Sequence, residues 1–134
     1  MKKYRIAQVG SFDVENYGDL LFADVFEKQI KKNIEVEEIL LFSPNHCKMP
    51  FNEKRQVYSV VELEKIYKAI GFDAIVVGGG DLVQMTKFKV NSEHWETDGN
   101  IYNELYMWFL PFFVSVKYNI PLIWNALGVP EIFY

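Results

Sequence analysis

Arginine and cysteine are nearly missing from this chain: its 134 residues include two arginines, Arg5 and Arg55, and one cysteine, Cys47. A lone cysteine rules out a disulfide framework and makes a reducing, cytoplasmic setting the expectation. A formal charge of -4, with basic residues that do not cluster, argues against a nucleic-acid surface. Behind the opening charges of Met1-Lys2-Lys3-Tyr4-Arg5 there is no apolar signal-peptide segment, so secretion is not expected. Neither a GxGxxG fingerprint nor a Gly-Lys-Ser/Thr loop occurs, which disfavours a dinucleotide or P-loop reading. His46 and Cys47 are adjacent, but no second pair stands at ligand spacing, so neither a metal centre nor a cofactor is expected, and surface or packing roles suit the two better.

Apolar residues are plentiful instead. Half the chain is hydrophobic and 16% is aromatic, a composition that calls for a deep core or an uncovered apolar face. The length suits one domain. Apolar patterning predicts strands over 4–10 and 34–42, a helix over 20–32 with Phe22, Phe26 and Ile30 on one stripe, and a polar, irregular stretch over 43–58. A helix over 60–70, closed by Gly71, then precedes a strand over 73–77. A loop of about twenty residues follows, long enough to be functional or mobile. A helix over 101–118 and a strand over 121–127 complete the pattern. Alternation of this kind predicts an α/β domain of Rossmann-like, three-layer build, with a mostly parallel sheet and helices on both faces. The apolar run 105–116 is far short of the roughly twenty residues a membrane span needs. It reads as a buried helix, kinked or broken near Phe109 by Pro111. The absence of a Lys/Arg-rich face disfavours a membrane-surface role. Packing on a further domain, or on a second copy of the chain, is the alternative.

Two connections carry candidate chemistry. Gly78-Gly79-Gly80-Asp81 follows the apolar run Asp73-Ala74-Ile75-Val76-Val77 directly, delivering a buried strand into a turn without side chains. Consecutive glycines are tolerated where φ must be positive or where a ligand or another backbone comes very near. The carboxyl end of a strand in an open α/β sheet is where ligands bind. The second connection, residues 10–19, ends in Asn16-Tyr17-Gly18-Asp19. Asp19 stands where a helix N-cap belongs, and Asn16 reads as a turn residue tolerant of the left-handed region. An Asp at the helix start would repel an anionic group unless cations were added.

Asn16-Tyr17-Gly18-Asp19, the run from Asp73 through Gly78-Gly79-Gly80 to Gln84, and the segment from Pro121 through Gly128 to Pro130 together resemble the polysaccharide pyruvyl transferase family in order and spacing. The resemblance covers essentially the whole chain but only the amino-terminal half of a typical member. It implies one of two Rossmann-like halves facing a cleft, similar to the GT-B glycosyltransferase arrangement. Two positions depart from the family pattern: Asp81 stands where a small or hydroxyl residue often follows the glycines, and Gly128-Val129-Pro130 is one residue shorter than the usual Gly-x-Gly-Pro turn.

The implied activity transfers pyruvyl from phosphoenolpyruvate to two hydroxyls of a cell-surface polysaccharide as a ketal. Implied partners are therefore phosphoenolpyruvate, a glycan acceptor and a carboxyl-terminal domain. The implied setting is the cytoplasm, with association at the inner face of the membrane left open. Since Arg5 and Arg55 are not obvious anion clamps, the resemblance implies that this half holds the acceptor and that a single half is not a competent catalyst. Asn16, Gly18, Gly78, Gly79, Gly80, Asp81 and Gln84 would bind substrate. Asp19 and His94 would handle protons, His94 because it titrates near neutrality beside Trp95. A solvated loop histidine is the plainer reading of His94, and capping that of Asp19. A GT-B glycosyltransferase half and a non-catalytic, degenerate binding module are the competing classes.

Overall fold

The computed structural model describes residues 1–78 and 102–125. The elements run β1 (Tyr4–Val9), α1 (Tyr17–Ile30), β2 (Val36–Ser43), β3 (Cys47–Met49), β4 (Asn52–Ser59), a 3₁₀ turn (Val60–Glu62), α2 (Leu63–Ile70), β5 (Ala74–Val77), α3 (Tyr102–Tyr118) and β6 (Leu122–Trp124). They build one six-stranded sheet in the order β3-β4-β2-β1-β5-β6, parallel except for β3, which pairs antiparallel with β4. Strands β1, β2, β4, β5 and β6 all end on one carboxyl rim. The strand order reverses between β1 and β5, the point at which open α/β sheets leave a crevice.

Alternation along the strands sorts side chains into two cores. Ala7, Val9, Leu40, Phe42, Ile75 and Val77 face α2 and α3, together with Val60, Leu63, Met107, Val114 and Ile120. On the opposite face Leu41 and Val57 pack with Phe12, Leu20 and Ala23 beneath α1. Helices therefore cover both faces, as βαβ crossovers require. The apolar run of β5, and the segment Ile6–Val9 of β1 with Gln8 its one polar member, are buried on both sides, which is why they read as strands without regular polar alternation.

Several expectations change. Residues 43–58 are not irregular: they hold the β3–β4 hairpin, turning through Phe51 at φ 60. The first half of β4 is exposed and polar, so its strand character comes from pairing rather than propensity. Pro111 does not break α3, which runs unbroken from Tyr102 to Tyr118, and the proline itself is fully buried. Nor is α3 a buried helix. Met107 and Val114 face the core, whereas Phe109, Phe112, Phe113 and Val116 are more than half exposed. Gly71 ends α2 as expected, at φ 68 with its N–H donating to the Tyr67 carbonyl at 2.8 Å.

Candidate functional site at the carboxyl rim

The rim is assembled by backbone bonds that prolong the sheet one residue past its strands. Gly10 N donates to the Phe42 carbonyl (3.0 Å), Gly78 N to the Val9 carbonyl (3.0 Å) and Asn125 N to the Val77 carbonyl (2.8 Å). Both glycines are required by this crowding. A Cβ on Gly78 would stand 1.7 Å from the Asn125 carbonyl oxygen, and one on Gly10 would stand 2.9 Å from the Gly78 carbonyl oxygen. The close approach expected at Gly78 is therefore made by the neighbouring backbone of Asn125.

Above this floor the β1–α1 connection is pinned at three places. Phe12 is fully buried under α1, worth roughly 2–3 kcal/mol. Ser43, at the end of β2, donates its Oγ–H to the Gly10 carbonyl at 2.6 Å and accepts from Phe12 N at 2.8 Å. Asp13 Oδ2 accepts from both Asn45 N (3.0 Å) and Asn45 Nδ2 (2.9 Å), joining the β1–α1 and β2–β3 connections side by side. Burial raises the Asp13 carboxyl above its usual range, against the pull of the Asn45 hydrogen bonds. Burial likewise raises the Cys47 thiol, with the nearby Asp13 charge adding to it.

Asn16, not Asp19, caps α1. Its backbone is extended (φ -111, ψ 106), its Oδ1 accepts from Gly18 N at 3.1 Å, and its carbonyl takes the first helical bond from Leu20 N at 3.0 Å. Asp19 lies inside the first turn, where a carboxylate suits the positive end of the helix dipole. Both residue types make good caps, and the choice between them is set by where Phe12 and Ser43 anchor the incoming chain. Asn16 and Gly18 are exposed at the rim. Among the described residues nothing crowds Gly18: a Cβ there would come no nearer than 3.4 Å, to Asn16 Oδ1.

Of the residues selected from sequence, Asn16, Gly18, Asp19 and Gly78 thus share one rim. Gly79, Gly80, Asp81, Gln84 and His94 lie outside the described residues. A cluster not anticipated from sequence gathers around the β2–β3 connection: His46 Nδ1 is 3.0 Å from Glu62 Oε2, its Nε2 is 3.0 Å from Gln56 Nε2, and its ring meets Tyr58 edge-on. Adjacent His46-Cys47 was the signal available, but Glu62 becomes a neighbour only once β2 and β4 pair.

At the other end of the sheet the charges are spent on each other. Arg5 pairs with Glu37 (2.8 Å) and Glu38 (3.3 Å) and donates to the Ile70 carbonyl (2.7 Å). Lys2 meets Asp73 at 2.8 Å, and that hydrogen bond, more than any other contact, holds the Asp73 carboxyl below its usual range. Arg55 joins β4 to α1 through Asp24 (3.0 Å) and Glu27 (2.9 Å). Both arginines are engaged within the chain.

The family model for polysaccharide pyruvyl transferases matches residues 16–134, starting at the capping asparagine. The chain belongs to the polysaccharide pyruvyl transferase family. No curated protein and no solved structure matches it. Among the described residues, no group of three or more His, Cys, Asp or Glu side chains is placed to hold a metal ion. None of the described helices is long and apolar enough to cross a membrane.

Proposed function

We propose that this chain forms the acceptor-side wall of a polysaccharide pyruvyl transferase, presenting a sugar diol to phosphoenolpyruvate at the carboxyl rim. The family match over residues 16–134 is the observation that carries the reading. In the reaction, protonation of the phosphoenolpyruvate methylene gives a methyl group and an oxocarbenium-like carbon. One sugar hydroxyl adds to that carbon, phosphate leaves, and the second hydroxyl adds to close the ketal. Of the two hydroxyl protons released, one balances that given to the methyl group and the other departs with phosphate. Such a sequence requires cations for the donor and neutral hydrogen-bonding groups for the acceptor.

Commitment of Arg5 and Arg55 to carboxylates of the chain itself supports the acceptor assignment, because neither guanidinium is left as a fork for phosphate. Exposed Asn16 and uncrowded Gly18 support it further. No described neighbour demands a glycine at position 18, and the open space it leaves at the helix start suits the close approach of a sugar ring. Asp19 and, outside the described residues, His94 are the proposed proton-handling groups; Gly79, Gly80, Asp81 and Gln84 would continue the wall. A two-half, GT-B-like cleft, the cytoplasmic face of a membrane and a carboxyl-terminal partner domain belong to the same proposal.

The test is donor choice. Full-length protein, this chain together with its carboxyl-terminal domain, incubated with a neutral oligosaccharide should consume phosphoenolpyruvate, release phosphate and yield an acid-labile ketal. Consumption of a nucleotide-sugar instead would point to a glycosyltransferase. Acceptor binding with turnover of neither donor would leave a binding module.

A further inference from the structure

Asp13 is held differently from the other bonded carboxylates of Asp and Glu in this chain. Asp24, Glu27, Glu37, Glu38, Glu64 and Asp73 each face a lysine or an arginine. Half-buried in the β1–α1 connection, three residues before the capping Asn16, Asp13 is met by the two amide donors of Asn45, and among the described residues no lysine or arginine pairs with it. As a clamp between two connections, a carboxylate is the less stable choice. An asparagine could accept the same two bonds with no charge to remove from water, and at Asp13 that removal outweighs what the Asn45 bonds return. A charge kept where it lowers stability marks a site that uses it.

Resting on the acceptor-side reading above, we infer that Asp13 is the base that takes the proton from the first acceptor hydroxyl at the carboxyl rim. As that hydroxyl oxygen bonds to the oxocarbenium-like carbon, its O–H bond breaks and the proton passes to the Asp13 carboxylate. The bond from that carbon to the phosphate oxygen then breaks with its electron pair on phosphate, which takes the proton from Asp13 and restores the carboxylate. The proton of the second hydroxyl balances the one given to the methylene. The setting suits this task. Asn45 orients the carboxyl group through Oδ2, and buried Phe12 with Ser43 fixes the backbone that carries it. Removal from water without a cation makes the carboxylate a stronger base, whereas the positive end of α1 favours the charged form of Asp19 and weakens it as one. Cys47 of β3 is a titratable neighbour, and its raised thiol stays protonated at neutral pH and adds no charge.

The test follows phosphoenolpyruvate consumption by the full-length protein with a neutral oligosaccharide. Asp13→Asn should lower kcat on the order of 100-fold or more, leave the acceptor KM little changed and raise the urea midpoint, a combination that loss of a purely structural clamp does not give. The wild-type rate should fall on the acid side as the carboxylate is protonated, and the residual rate of Asp13→Asn should lack that limb. Should Asp13→Asn fail to fold, Asn45→Ala takes its place: losing a hydrogen bond that favours the charged form should move the acid limb to higher pH. Wild-type turnover in Asp13→Asn, or a slowed enzyme that keeps the wild-type acid limb, would overturn the inference and leave the acceptor-side reading standing. An acid limb unmoved in Asn45→Ala would do the same. A wild-type enzyme that consumes no phosphoenolpyruvate would overturn both.

Discussion

The two rims of the sheet are built from opposite materials. The amino rim is held by ion pairs between side chains: Lys2 with Asp73, and Arg5 with Glu37 and Glu38. The carboxyl rim is held by glycine-permitted backbone contact, buried Ser43 and the Asp13–Asn45 clamp. Exposed ion pairs contribute little to stability and tolerate change, whereas buried hydrogen bonds and backbone contacts do not. Precision has thus been built into the carboxyl rim, where the proposed acceptor wall lies, and charge neutralisation into the amino rim.

The sharpest way to break this contrast is Gly78→Ala. With a carbonyl oxygen 1.7 Å from the new Cβ, we expect a loss of about 3 kcal/mol or more in urea unfolding. Ser43→Ala should follow, costing about 2–3 kcal/mol, because the Phe12 N–H and the Gly10 carbonyl would stay buried without their partner. Asn16→Ala should cost about 1 kcal/mol through loss of the cap, while Asn16→Ser should restore stability. If Asn16 also touches the acceptor, Asn16→Ser will recover the fold but not turnover, and recovery of both would reduce the residue to a cap.

Titration sharpens the contrast at smaller scale. The Asp73 carboxyl lies below its unfolded value, so its contribution is present above the unfolded pKa and lost as pH falls through the folded one. Glu64 behaves likewise, held down to about 2 chiefly by its hydrogen bond to Lys117, so its contribution fades as pH drops from the ordinary carboxylate range toward 2. Asp13 has the opposite sign. Its folded pKa is raised, so the stability linked to it is full at low pH and is lost as pH rises through that raised value. Replacing Asp13 by Asn, which can still accept from Asn45, should therefore raise stability at neutral pH. Asp73→Asn should lower it slightly, by an amount that shrinks in salt. Urea midpoints measured against pH would show the two slopes.

Legibility followed burial. β5 could be read directly because a continuous apolar run such as Ala74-Ile75-Val76-Val77 has few alternatives to a strand buried on both faces, and β1 nearly so, with Gln8 the one polar residue in its buried half. The β3–β4 hairpin could not, because Asn52-Glu53-Lys54-Arg55 favours no strand until β2 and β3 pair with it. At the site, the residue types were legible and their partners were not. Asn16 and Asp19 both suit a helix start, and only the anchoring by Phe12 and Ser43 decides between them. The need for glycine at Gly78 was visible, but the backbone pressing on it comes from Asn125, far along the chain.

The most direct measurement is a titration of the isotope-labelled chain with neutral disaccharides, followed by amide chemical shifts. An acceptor wall at the carboxyl rim predicts saturable shifts at Gly10, Asn16, Gly18, Asn45 and Gly78, with Arg5, Glu37 and Asp73 unmoved. Shifts confined to the amino rim, or to the groove beside Phe26 and Ile123, would contradict it.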